Sequence, residues 1–164
     1  MDVIFDIDGT LLDISHRLKF IKPLDPYRGK KDWKAFRDPK QKRWDEPIMP
    51  VVHIFNALLA DGHNMIISTG HMRDEENDTR NSLVHYIPEL TAKRGDDSWL
   101  IPFYMRRMRD YRKDTVLKKE MLNIMRIDGY NPVMVFEDRP SVINMWHEEG
   151  LKVMDVRDPS QGEF

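Results

Sequence analysis

Two aspartates set two residues apart are the first chemistry this sequence offers. Asp6 and Asp8 close an apolar run, Val3-Ile4-Phe5, and Gly9-Thr10 turn the chain away. Residues two apart on an extended strand share a face. Where the strand gives way to a turn, the two carboxylates can converge on one point. Two anions held together require a cation, and oxygen-only ligands beside a phosphate select Mg2+. One carboxylate can then attack phosphorus while the other handles the proton of the leaving group. A plain turn would also use Asp and Gly. So would a calcium loop of the EF-hand type, but that loop needs a bidentate Glu at its twelfth position. Counted from Asp6, the twelfth residue is Arg17.

Holding such a pair in place takes a sheet, and the chain reads as alternating strand and helix. Val3-Ile4-Phe5 and Met65-Ile66-Ile67 are short continuous apolar runs of the kind found in buried parallel strands. The spacing predicts strands over 64–68, 100–105, 132–136 and 152–156. Helices are predicted over 51–60, 75–87, 114–127 and 140–149, with Pro50 near the start of the first and Gly62 past its end. The 114–127 segment is the strongest, with Val116, Leu117, Met121, Leu122 and Met125 on one face. Alternation of this kind predicts a three-layer α/β fold with a five-stranded parallel sheet. In such sheets the active site lies beyond the carboxyl ends of the strands.

One block interrupts the alternation. Residues 14–46 carry eleven bases against five acids, in a chain whose net charge is −2. Their aromatics are Phe20, Tyr27, Trp33, Phe36 and Trp44. The block reads as a small basic cap inserted after the first strand. Such a segment suits a groove that tracks a phosphate backbone and stacks bases on aromatic rings. It equally suits a solvated, lysine-rich cap whose aromatics pack on the core. The length of 164 residues predicts a single domain. The absence of cysteine excludes disulfides, thiolate nucleophiles and zinc-thiolate sites. No apolar run reaches the roughly 18 residues of a membrane span, and no signal peptide is recognisable, so a cytoplasmic enzyme is expected.

The motif Asp6-x-Asp8-Gly9-Thr10 after an apolar strand resembles the first motif of the haloacid dehalogenase superfamily. The other motifs of that superfamily follow in order. Thr69 before Gly70, with Ser68 as its neighbour, resembles the hydroxyl that holds a phosphoryl oxygen. Lys118, one turn into a helix, resembles the lysine that neutralises the aspartate–phosphate charge. Glu137-Asp138 resembles the acidic pair that completes the metal site. The resemblance therefore implies a Mg2+-dependent phosphohydrolase with Asp6 as nucleophile and Asp8 as general acid/base. Catalytic Asp6, Asp8, Thr69 and Lys118 would act beside a metal held by Asp6, Asp8, Glu137 and Asp138.

The likeness narrows to the 3′-phosphatase domains of T-even phage polynucleotide kinases. It rests on Arg112-Lys113-Asp114-Thr115-Val116-Leu117-Lys118, on Glu137-Asp138-Arg139-Pro140 with Val142 and Met145-Trp146, and on the terminal Gly162-Glu163-Phe164. By that resemblance Arg17, Arg106 and Asp114 belong to the substrate site. The implied substrates are 3′-phosphorylated DNA or RNA ends or 3′-nucleotides, in the host cytoplasm if the chain is phage-encoded. Two departures stand out. Thr69-Gly70-His71 replaces the family's Ser/Thr-Gly-Arg, so His71 takes an arginine's place, with Arg73 as a second source of charge. Glu137 stands where the family has Asp. No Gly-x-x-x-x-Gly-Lys-Ser/Thr loop occurs in the sequence, so no kinase half is expected. A mononucleotidase of the same superfamily is the alternative enzyme. A catalytically dead phosphatase fold that binds nucleic acid is the alternative from another class. The remaining histidines show no close metal-ligand spacing.

Overall fold

The structure is a computed structural model and describes residues 1–22 and 31–158. Arg28 and Lys30 of the basic block and the terminal Gly162-Glu163-Phe164 lie outside the described residues. Its centre is a five-stranded sheet built from β1 (Asp2–Phe5), β4 (Asn64–Met72), β5 (Phe103–Arg106), β6 (Pro132–Glu137) and β7 (Lys152–Asp155). The spatial order is β5-β4-β1-β6-β7, and every neighbouring pair is parallel.

Strand alternation sorts the apolar runs into two cores. Val3, Phe5, Met65 and Ile67 face one side, where they meet Val51, Val52 and Phe55 of α4 (Met49–Ala60) and Leu83 of α5 (Glu76–Leu83). Ile4, Ile66 and Val135 face the other side. There they meet Leu117, Met121 and Leu122 of α6 (Asp114–Ile127) and Val142 and Trp146 of α7 (Pro140–Glu148). The result is the three-layer α/β sandwich expected from the alternation. Phe5 anchors the first core, stacked on Phe136 at 4.3 Å and edge-on to Phe55 at 4.8 Å.

Several boundaries differ from the sequence reading. The helix expected over 75–87 ends at Leu83, where a turn leads into a 3-10 segment at Pro88–Thr91. The strand expected over 100–105 runs instead over Phe103–Arg106. Leu100 bonds back to Ala92 in a local turn, and Pro102 has no N–H to give to a ladder. The second strand continues past Ser68 to Met72, with a register break against β5 between Thr69 and Met72.

Among its described residues the basic block forms three one-turn helices, α1 (Ser15–Leu18), α2 (Trp33–Phe36) and α3 (Pro39–Lys42). A two-residue ribbon joins its ends, β2 (Leu12–Asp13) pairing antiparallel with β3 (Glu46–Pro47). Ile14, Leu18, Ile21 and Phe36 are buried in the same core as α4, which seats the described part of the block against the sheet.

Candidate active site

The sequence-predicted catalytic and metal-binding residues lie at the carboxyl ends of β1, β4 and β6 or at the start of α6. Asp6 extends β1, its N–H donating to Phe136 O at 3.1 Å. The chain then curls, with the N–H groups of Thr10, Leu11 and Leu12 all donating to Ile7 O. Gly9 makes this turn possible. Its φ is +81°, and a Cβ there would stand 2.0 Å from Asp138 Oδ2. Any side chain would therefore strain the backbone and displace the acidic residue.

Thr69 and Ser68 take opposite faces of β4. Ser68 Oγ donates to Met121 Sδ at 3.5 Å, within the α6 core. Thr69 instead lines a small cleft with Asp6, Asp8, Lys118, Asp138 and Arg139. The register break just beyond re-aims Gly70 and His71 over the sheet's edge, as bulges do. Asp114 opens α6, and Lys118 sits one turn later on the same side.

Lys118 is a buried cation between two carboxylates. Its Nζ donates to Glu137 Oε2 at 2.7 Å. It stands 3.0 Å from Asp6 Oδ1 as an ion-pair contact, and that oxygen has no aligned hydrogen-bond donor among the described residues. Burial opposes the charge on Lys118, but Asp6 and Glu137 outweigh it and hold its pKa above the usual lysine range. Glu137 Oε2 also accepts from the Trp146 indole at 3.3 Å, and the Arg139 N–H approaches Oε1 at 3.3 Å.

Asp6, Glu137 and Asp138 each bring a carboxylate oxygen within 4.8 Å of the others. Burial, with Glu137 and Asp138 nearby, raises Asp6 well above the usual carboxylate range despite Lys118. Burial and Glu137 likewise push Asp138 up to about 7, against Lys118 and Arg139. A buried all-oxygen cluster that resists ionisation is what a hard divalent cation relieves, so these residues fit Mg2+. Asp8 was expected among the metal ligands, but its carboxylate is not in this cluster.

Asp8 lines the same cleft and its carboxylate contacts Arg17 and His71. Arg17 Nη2 donates to its Oδ1 at 2.7 Å, and His71 Nε2 stands 3.0 Å from the same oxygen without hydrogen-bond alignment. Burial works against ionisation of Asp8, but His71 and Arg17 prevail and hold it well below the usual carboxylate range. Arg17 is fully buried. It donates from Nε and Nη2 to the two oxygens of Asp45, both at 2.8 Å, and its guanidinium lies 4.4 Å from the Phe36 ring centroid. Asp45 lies in the basic block, and sequence reasoning did not single it out. His71 Nδ1 meets Thr79 Oγ1 at 2.9 Å, and that hydroxyl donates to Glu75 O at 2.9 Å. Thr79 must therefore accept from Nδ1–H, which turns Nε2 toward Asp8.

The other expected substrate residues separate. Arg106 gives donors to the carbonyls of Gly70, Asp110 and Arg112 and to Asp114 Oδ1, and it lines the larger cleft beside the site. Asp114 is shared between Arg106 and Arg139. Arg73 is largely exposed, pairs with Glu76 at 3.7 Å and lines neither the small cleft nor the larger one beside it. Arg139 lines both. It was quoted only as part of a motif, and its place between an acidic pair and a helix-starting proline was the available signal.

Solved structures share this fold. A haloacid dehalogenase-like family hydrolase from Streptococcus pneumoniae shares the fold at a TM-score of 0.62 and 10% identity, covering 97% of this chain and 87% of that one. A hydrolase from Streptococcus pneumoniae TIGR4 aligns at a TM-score of 0.58 and 15% identity, covering 93% and 90%. The fold and the family match together define a phosphoric monoester hydrolase of the haloacid dehalogenase class. The chain belongs to the polynucleotide kinase PNKP phosphatase domain family, whose description matches residues 1–164. A Pnkp1/Rnl/Hen1 complex contains a chain similar to it at 26% identity and a TM-score of 0.68. The match covers 99% of this chain and 47% of that one, so this chain spans about half the length of that relative. A Pnkp1/Rnl/Hen1 RNA repair complex matches at 26% identity and a TM-score of 0.61, covering 99% and 43%.

Proposed function

We propose that this chain is a Mg2+-dependent phosphatase that removes the 3′-phosphate from polynucleotide ends or 3′-nucleotides through an aspartyl-phosphate at Asp6. The observation that carries the reading is the small cleft in which Asp6, Asp8, Thr69 and Lys118 face one space. Membership of the PNKP phosphatase family and the nucleic-acid-repair setting of its structural relatives point to polynucleotide ends.

In the first step an Asp6 carboxylate oxygen bonds to phosphorus as the bond from phosphorus to the 3′-oxygen breaks. The Thr69 hydroxyl and Lys118 hold the phosphoryl oxygens, and Lys118 offsets the charge that spreads over them. Asp6, Asp138 and, through its freer oxygen, Glu137 would hold Mg2+, which supplies further neutralisation of that charge. Asp8 gives its proton to the departing 3′-oxygen. A phosphate monoester carries a charge of about −1.5 to −2 at neutral pH. Its arrival beside Asp8 opposes the effect of Arg17 and His71, so that the carboxyl takes up from solvent, as substrate binds, the proton it then passes to the 3′-oxygen. In the second step Asp8, ionised again, takes a proton from water as the water oxygen attacks phosphorus and frees Asp6. Arg17 orients Asp8. Asp114 and Arg106 hold Arg139 and the β4 end in place, and His71, fixed by Thr79, stands with Nε2 beside Asp8.

The reading is tested with 3′-phosphorylated, 5′-phosphorylated and cyclic-phosphate oligonucleotides and mononucleotides, with and without Mg2+. Mg2+-dependent release of phosphate from 3′-phosphorylated substrates is expected. Equal rates on 3′- and 5′-mononucleotides, with no preference for the 3′-phosphorylated oligonucleotide, would replace it with a mononucleotidase.

A further inference from the structure

Beside the catalytic carboxylates lies a second, larger cleft of about 710 Å3, lined by His71 and by Asp8 and Arg139, which the two clefts share. That volume is in the range of clefts that bury a ligand of nucleotide size. Two separate segments supply aromatic rings to it: Trp33 and Phe36 from α2, and Tyr111 from the loop between β5 and α6. The candidate stacking rings of the basic block have separated in the fold. Phe36 lies in the cleft wall but is only 7% exposed, its ring under the Arg17 guanidinium, and Trp44 does not line the cleft. Tyr27 lies outside the described residues; among the described ones Trp33 remains, 38% exposed and braced edge-on by Phe36 at 5.7 Å. Lys31 Nζ and Arg37 Cζ each lie 5.6 Å from its ring centroid. Tyr111 is 75% exposed. Exposed rings set among cations, in a cavity continuous with a phosphate site, are the elements of a single-strand binding platform.

We infer that Trp33 and Tyr111 form a nucleobase subsite that stacks the unpaired terminal bases of a single-stranded nucleic acid whose 3′-phosphate enters the Asp6 cleft. This rests on the polynucleotide reading above and deepens it. Stacking is sequence-tolerant, because every base has a π-face. A terminal base held in a duplex must first leave its own stack, so single-stranded or frayed ends are preferred over paired ones.

The test compares kcat/KM for a 3′-phosphorylated oligothymidylate with that for the same strand ending in an abasic tetrahydrofuran residue bearing the 3′-phosphate, and repeats the pair in RNA. The parent protein should favour the strand with its terminal base by about five- to a hundred-fold, the range of base–aromatic stacking. Trp33→Ala and Tyr111→Ala should each lower that ratio, and Trp33→Phe and Tyr111→Phe should keep most of it. Tyr111→Ala keeps the test open if the change at Trp33 impairs folding. A base advantage in either the DNA or the RNA series that falls in the alanine variants supports the subsite. A parent ratio near one in both series, or a ratio unchanged in both alanine variants, overturns it while leaving the 3′-phosphatase reading intact. Turnover of p-nitrophenyl phosphate without turnover of any 3′-phosphorylated oligonucleotide overturns that reading and the subsite together.

Discussion

Replacing Arg17 by methionine tests whether one buried arginine ties the catalytic carboxylate to the basic block. The guanidinium joins Asp8 to Asp45, whose side chain is 2% exposed. Arg17→Met keeps the bulk of the side chain and leaves Asp45 buried without its cation. Breaking a buried pair in this way costs about 3–5 kcal/mol. For a domain of this size that lowers Tm by about 6 to 20 °C. The double variant Arg17→Met/Asp45→Leu removes both charges, and apolar replacement of a buried pair is often neutral. Its Tm should therefore return close to that of the parent, while Asp8 still lacks the donor that orients it. Loss of placement by about 1 Å costs on the order of 10²-fold in rate, so the double variant should be stable but slow. Thermal melts by circular dichroism and kcat on a 3′-phosphorylated oligonucleotide read the two effects separately. An Arg17→Met protein melting within about 2 °C of the parent, or a double variant that regains activity with its stability, would refute the reasoning.

The remaining expectations concern the acidic cluster. Gly9→Ala places a Cβ where Asp138 Oδ2 lies and demands a left-handed backbone of an L-residue, so it should lower stability by about 1–2 kcal/mol and weaken Mg2+ binding. Parent-like Mg2+ titrations by calorimetry would count against that close approach. With chelator present, Asp138 has a pKa of about 7 in the fold and near 3.9 when unfolded. The folded chain then holds a proton that the unfolded chain releases, so this group's contribution to stability falls as pH rises from about 4 to about 7. Mg2+ should accordingly raise Tm more at pH 8 than at pH 5, and Asp138→Asn should flatten the pH dependence in that window. An equal Mg2+ effect at both pH values would contradict the assignment of Asp138 to the metal.

The sheet was legible because its strands are short apolar runs. Val3-Ile4-Phe5 and Met65-Ile66-Ile67 must each bury two faces, and only a sheet covered on both sides does that. The catalytic positions were legible as residue types at the ends of those runs. What the sequence hid was pairing over distance. Asp45 is 28 residues from Arg17 and looked like one of five acids diluting a basic block. Thr79 looked like an ordinary helix residue, yet it sets the orientation of His71. The end of β4 was hidden because Thr69-Gly70-His71 lacks the apolar continuity that marks a strand, and the register break there depends on β5. The backbone carbonyls that hold Arg106 in the wall of the larger cleft converge only in the folded chain. Tyr111 lies in a connection between elements, where periodicity carries no signal.

The most direct test of the central claim is to trap the intermediate. A 3′-phosphorylated oligonucleotide carrying a radiolabelled phosphate is mixed with excess protein and Mg2+, quenched in acid within a single turnover, and the labelled peptide is mapped. The account predicts label on Asp6 that hydroxylamine releases, and none in Asp6→Asn, which should not turn over. Unlabelled parent protein during turnover, together with substantial hydrolysis by Asp6→Asn, would contradict it.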